Sequence, residues 1–395
     1  MCSSDLNHTL RKITSSGGVT TLAGKAEMKS GAMVGGFADG KGAGAKFRAP
    51  RGVAVDGAGN VYVADTDNAV VRKVLPDGTV KTLAGTAGSA GYANGTGAVA
   101  RFSGPQYVAV DAAGNVYVTD AGNQVVRKIT SYGLAATVTN GLARFVSPRG
   151  IAVDRQGNIL VADNDAQTVS RIAPKGGVSV FAGSPSRHGC VDGAAAAARF
   201  NRPCGVVSDG SRLLVTDSFS QALRTVSEEG AVATLAGRAG VAGGADGTGT
   251  NATFFWPAGA ARDRAGNIVV ADSGNHTLRK VSPDGRVATL AGRAGTSGSA
   301  DGTGDKASFS WPSDVAADRF GNFFVADRGN HVIRRVTADG AVSTVAGAAG
   351  KAGFADGAGS AARFNGPSGV AVDGLGNVYV ADTDRKSTRL NSSHG

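Results

Sequence analysis

Glutamate is nearly missing from this 395-residue chain: Glu27, Glu228 and Glu229 are the only ones, beside three cysteines, three methionines and five histidines. So thin a supply of side chains for acid–base, thiol or metal chemistry leaves no convergent catalytic set to name from the sequence. Charged residues make up 18% of the chain. No run approaches the roughly 18–20 consecutive apolar residues that a membrane-crossing helix needs. Glycine is what abounds, with 61 residues, about twice the ~7% of an average protein. Few charges, many glycines and no long apolar run describe a soluble, turn-rich β protein.

A repeat organises the chain. Pro50 opens Arg51-Gly52-Val53-Ala54-Val55-Asp56, followed by Gly59-Asn60 and Val61-Tyr62-Val63-Ala64-Asp65, and Pro105, Pro148, Pro203, Pro257, Pro312 and Pro367 open the same pattern. The prolines recur about every 55 residues, except for a shorter step from Pro105 to Pro148, and so regular a period marks a closed or stacked array. Alternation and turn residues give four strands per unit. In the first unit these are Gly52–Asp56, Asn60–Ala64, Val70–Val74 and Thr79–Leu83, with a tight hairpin at Asp56–Gly59 and a second turn at Pro76-Asp77-Gly78. Four short antiparallel strands form a propeller blade. One blade cannot bury both faces, so the units are expected to pack round an axis.

The segments Asp272-Ser-Gly-Asn-His-Thr-Leu-Arg279 and Asp327-Arg-Gly-Asn-His-Val-Ile-Arg334 resemble the NHL repeat, and the resemblance runs from Asn7 to Thr383. It implies an all-β propeller of four-stranded antiparallel blades. Six whole repeats are present, with a half repeat at each end: third and fourth strands at Asn7–Gly24, first and second at Gly369–Ala381. Joined, the halves complete a seventh blade, where the family usually has six. Residues 1–6 and 384–395 resemble translated sequencing adapters. They are expected to be foreign to a single propeller domain at 7–383, which is then a fragment of a longer protein.

The net charge of +10 invites a nucleic-acid reading, but a basic pair recurs from blade to blade (Arg72-Lys73, Arg127-Lys128, Arg279-Lys280, Arg334-Arg335). Charge spread round a ring forms no stripe, and recognition needs patches. The first linker is the one dense cluster, with Lys25, Lys29, Lys41, Lys46, Arg48 and Arg51 against Glu27 and Asp39. It supports an RNA-binding alternative, though without interleaved aromatics. The linker Asp-Gly pairs beginning at Asp39, Asp192, Asp246 and Asp356 are read as turns and not calcium loops. The repeated strand-end aspartates, such as Asp65 and Asp120, are read as structural hydrogen-bonding groups.

Enzymes related to the family, lactonases and an amidoglycolate lyase, imply axial acids or zinc-binding histidines. His8, His276 and His331 fall instead at one repeat position on separate blades, so neither a metal site nor a cofactor is expected. The functional reading therefore rests on residues that break the repeat. Trp256 and Trp311 precede Pro257 and Pro312, where other blades carry Ala49, Gly104, Ser147, Arg202 and Gly366. With Arg51, Arg149 and Arg202 they are the candidate contact residues of a monomeric, non-enzymatic module. Its partner would be a protein or a glycan on the linker face, since aromatic and arginine side chains are enriched in such patches. The alternative is a propeller hydrolase or lyase. Cys190 and Cys204 share the linker into the fourth blade, as a disulfide or as two separate thiols. The bond would go with the extracytoplasmic location that the resemblance implies.

Overall fold

The computed structural model describes residues 8–14, 18–25, 27–29, 32–138, 145–208 and 212–382. Seven antiparallel sheets stand round one axis as the blades of a propeller. Each innermost strand starts at its repeat proline, as in Pro50–Val55, Pro105–Val110 and Pro312–Ala317. Proline has no N–H to donate, so it belongs at a strand's first residue. The pairing slips between Pro50 and Val53, and likewise in the other blades. In blade 1 the remaining strands are Val61–Asp65, Val70–Val74 and Thr79–Ala84, within two residues of the sequence expectation.

The seventh blade is split between the two ends of the chain. Thr9–Ile13 pairs antiparallel with Val378–Asp382, in a register running from Thr9 opposite Asp382 to Ile13 opposite Val378. Gly18–Ala23 lies outside Thr9–Ile13 and Pro367–Val372 lies innermost. Closure of this kind leaves no open edge between the first blade and the last.

Two features exceed the four-strand expectation. In five blades the linker's Gly-Thr or equivalent pair adds a two-residue fifth strand outside the fourth, as Gly40–Lys41 does against Thr79–Val80. A single 3₁₀ turn, such as Thr66–Asn68, joins the second and third strands of several blades. The first linker also holds a small hairpin, Glu27–Lys29 with Ala32–Val34.

The core lies between blades. Phe47, Phe102, Phe200, Phe254, Phe309 and Phe364 each stand three residues before a repeat proline and are wholly buried. Phe47 packs with Leu10 and Tyr379 of blade 7 and with Val61 and Val63 of blade 1. Burying one such side chain stabilises by about 1.5–3 kcal/mol.

Below each phenylalanine lies a buried ion pair. Arg72 is fully enclosed, its Nη1 donating to Asp65 at 2.9 Å and its Nη2 to Asp39 at 2.7 Å. The carbonyls of Lys46 and Ala38 accept from the same guanidinium, which stacks between Phe37 and Phe47. Arg224, Arg279 and Arg334 repeat this arrangement with Asp217 and Asp192, Asp272 and Asp246, and Asp327 and Asp301. The linker aspartates also accept from a fourth-strand threonine, as Asp39 does from Thr82. They are thus more than turn residues: they tie linker to blade through charge. Blade 3 lacks both halves of the device. Ser170 stands where the arginine would be, and the shortened linker before Pro148 carries no aspartate. The residue lost and the segment lost are partners.

No helix among the described residues is long and apolar enough to cross a membrane. The terminal segments 1–6 and 384–395 lie outside the described residues.

Candidate functional site: the linker face

The repeat proline fixes what reaches this face. The residue before it sits on the rim, and the two after it enter the axial channel at the start of the innermost strand. In every blade but the third, the rim residue adopts the left-handed conformation: Ala49, Gly104, Arg202, Trp256, Trp311 and Gly366 have φ of 48, 60, 56, 51, 49 and 61°. Glycine takes this conformation freely, whereas a bulky residue there, before a proline, is strained by about 1–3 kcal/mol. Three successive blades nonetheless carry Arg202, Trp256 and Trp311.

A side chain from the preceding blade holds each of them. The Trp311 backbone N–H donates to His276 Nδ1 at 3.1 Å, the Trp256 backbone N–H to Gln221 Oε1 at 2.7 Å, and the Arg202 backbone N–H to Gln167 Oε1 at 2.7 Å. His8 and His331 accept in the same way from Ala49 and Gly366. The repeat histidine is therefore a blade-to-blade clasp. Burial pushes the His276 pKa down, favouring the neutral ring whose Nδ1 can accept.

The side chains form one continuous arc. The Arg202 guanidinium lies 4.8 Å over the Phe219 ring, Phe219 is 6.4 Å from Trp256, and Trp256 is 5.7 Å from Trp311 at 30° between planes. His276 closes the arc edge-on to Trp311 at 5.2 Å. Trp311 is 42% exposed and Phe219 44%, while Trp256 is half-buried. Phe219 was not among the expected contact residues, although Ser218-Phe219-Ser220-Gln221 stands in blade 4 where blades 5 and 6 carry Ser-Gly-Asn-His and Arg-Gly-Asn-His.

Arg51 and Arg149 lie elsewhere. With Tyr107, Cys204, Ser313, Asp314, Arg328 and Ser368 they line an axial cavity of about 360 Å³ whose walls are the innermost strands. Arg51 thus leaves the basic cluster of the first linker, and Lys41 there pairs with Asp77 at 3.1 Å. Arg149 lies beside Cys204.

Of the two alternatives for the cysteines, the structure has the separate thiols and not the candidate disulfide: Cys190 and Cys204 are both free. Cys204 follows the proline and faces the axial cavity beside Arg149. Cys190 lies beside Ser220, Thr234 and Arg224, where burial pushes its thiol pKa up. It takes the place that Phe37, Tyr92 and Phe354 occupy against their arginines. The two cysteines share a linker but have different neighbours.

The NHL-repeat family model matches four stretches, residues 47–73, 145–172, 254–281 and 364–387. The chain is an NHL-repeat propeller. It is 29% identical over 304 residues to human NHL repeat-containing protein 2, which covers 73% of this chain and 39% of that protein. The NHL-repeat chain described here spans less than half the length of the curated relatives it matches. Among solved structures, a streptogramin B lyase shares the fold with a TM-score of 0.60 at 11% identity, over 85% of this chain and 92% of the lyase. An auxiliary nutrient binding protein from Bacteroides thetaiotaomicron does so with a TM-score of 0.55 at 15% identity, over 85% and 76%. Both likenesses establish fold alone.

Proposed function

We propose that this NHL-repeat propeller is a non-enzymatic binding module whose linker face takes a protein or glycan partner along the arc Arg202–Phe219–Trp256–Trp311. One observation carries the reading: three adjacent blades place large side chains on left-handed backbone, and those side chains touch in a single exposed row. Strain of this kind persists where surrounding structure imposes it, and it clusters at functional sites. Rigid aromatics with a flanking arginine are also the composition of binding hot spots. The nutrient-binding neighbour is consistent with such a role. The extracytoplasmic location expected from the family resemblance rests on that resemblance alone, since the thiols are unbonded.

A lyase is the second reading. It is favoured by Asp314, the one acid lining the axial cavity, and by the lyase neighbour. Against it, no histidine is among the lining residues of that cavity, and the repeat histidines are engaged with backbone N–H groups.

The test is binding of immobilised oligosaccharides and extracellular-matrix proteins by the wild type and by a double variant, Arg202→Ala with Phe219→Ala. The reading expects at least one ligand to lose about tenfold or more in affinity, the usual scale of a hot-spot truncation. A ligand bound equally by both proteins would contradict it, and turnover of the ligand would favour the lyase.

A further inference from the structure

Seven similar units would give a seven-fold channel, and the axial cavity departs from that symmetry in one direction. At the second residue after the proline stand Gly52, Gly150, Gly205, Gly259 and Gly369. Successive inner strands approach so closely there that a Cβ on Gly150 would lie 2.2 Å from the Cys204 carbonyl oxygen. Only blades 2 and 6 place side chains at this level, Tyr107 and Asp314. In a ring of seven these blades are three steps apart, the greatest separation possible. Arg149, in blade 3, is likewise three steps from Asp314, and Arg51, in blade 1, is two. A guanidinium and a phenol, Arg149 and Tyr107, therefore stand across the cavity from the Asp314 carboxylate, and Arg51 of blade 1 and Arg328 of blade 6 complete the charged lining. Small groups fill the space between them, among them Cys204, Ala258 and Ser368.

Asp314, partly exposed to the cavity, differs from the fully buried aspartates of the ion pairs. Asp65, Asp217, Asp272 and Asp327 each face an arginine. The Asp314 carboxylate instead accepts from two backbone N–H groups, those of Val315 and Val370, each at 3.0 Å. Burial pushes its pKa up to about 6, with those N–H groups pulling the other way. A desolvated carboxylate facing a cavity is stabilised most by a cation that arrives with the ligand. The cavity is of ligand size, small-molecule sites running from about 300 to 1,000 Å³.

We propose that the axial cavity binds a small zwitterion with its charges at opposite ends, as in a short peptide, the carboxylate meeting Arg149 and the ammonium meeting Asp314. Neither tryptophan lines the cavity, so this site is separate from the rim arc.

The test is calorimetric titration of the wild-type protein with triglycine, N-acetyl-triglycine and triglycine amide. Triglycine should bind, and blocking either end should weaken it about tenfold or more, as expected for a lost charge-assisted hydrogen bond. Asp314→Asn should weaken triglycine and leave N-acetyl-triglycine unchanged. Equal affinity for the three peptides, or no heat with either triglycine or 6-aminohexanoate, would overturn the proposal, and neither result needs a variant to fold. Binding of 6-aminohexanoate in place of triglycine would keep the zwitterion and identify the ligand as an amino acid and not a peptide.

Discussion

Arg279 touches almost everything that defines a blade: Asp272 at the end of the second strand, Asp246 in the linker, the carbonyls of Thr253 and Ala245, and the face of Phe254. Removing one member of a buried pair leaves the other charge unpaired, which costs about 3–5 kcal/mol. Arg279→Ala should therefore lower the unfolding free energy by about that much in urea denaturation followed by circular dichroism. Arg264→Ala, at an exposed turn, should stay within about 0.5 kcal/mol. A near-neutral Arg279→Ala would mean that the linker does not depend on its ion pair. His276 supplies a pH-dependent counterpart. Burial lowers its folded pKa below the unfolded value, so the neutral ring adds stability above the ordinary histidine range. That stability is lost as pH falls through the folded pKa. Glutamine does the same work at Gln167 and Gln221, so His276→Gln should flatten the dependence of the melting temperature on pH below neutrality. An unchanged profile would show that the clasp at Trp311 does not titrate.

At the scale of the element, strands and hairpins were legible because alternation and Asp-x-Gly-Asn turns are local signals. Val61–Asp65 and Val70–Val74 lie within a residue of their expected bounds. The fifth strand was not legible, since two residues such as Gly40–Lys41 carry no period. The role of the linker aspartates was hidden for another reason: Asp39 meets Arg72 only once the fold is closed. The site was partly legible. Departure from the repeat singled out Trp256 and Trp311. Tyr107 and Asp314 break the repeat two residues after the proline, where the other five blades carry glycine, and were not among the expected contact residues. The shared linker of Cys190 and Cys204 left their state open, because proximity in sequence says little about which way a side chain faces. The joining strand Thr9–Ile13 gives the element-scale prediction. Its amides, paired with Val378–Asp382 and Gly18–Ala23, should resist hydrogen exchange as long as those of Thr277–Val281 in blade 5. Exchange within the dead time of the experiment would show a ring open at blade 7.

The whole molecule is a closed ring in which one face differs from blade to blade while the interior repeats. Blades 4 to 6 supply the aromatic row on that face, and blades 1, 3 and 6 supply the charged groups of the axial mouth. The chain has only two tryptophans, and both are in the row, so tryptophan emission, excited where tyrosine does not absorb, reports on the proposed binding surface. The most direct test is therefore tryptophan emission during titration with any oligosaccharide or protein shown independently to bind. Binding along the arc should shift the emission maximum to shorter wavelength and shield Trp311 from acrylamide, in proportion to occupancy. A ligand that saturates the protein with emission and quenching unchanged would place its site away from Trp256 and Trp311 and contradict the linker-face assignment.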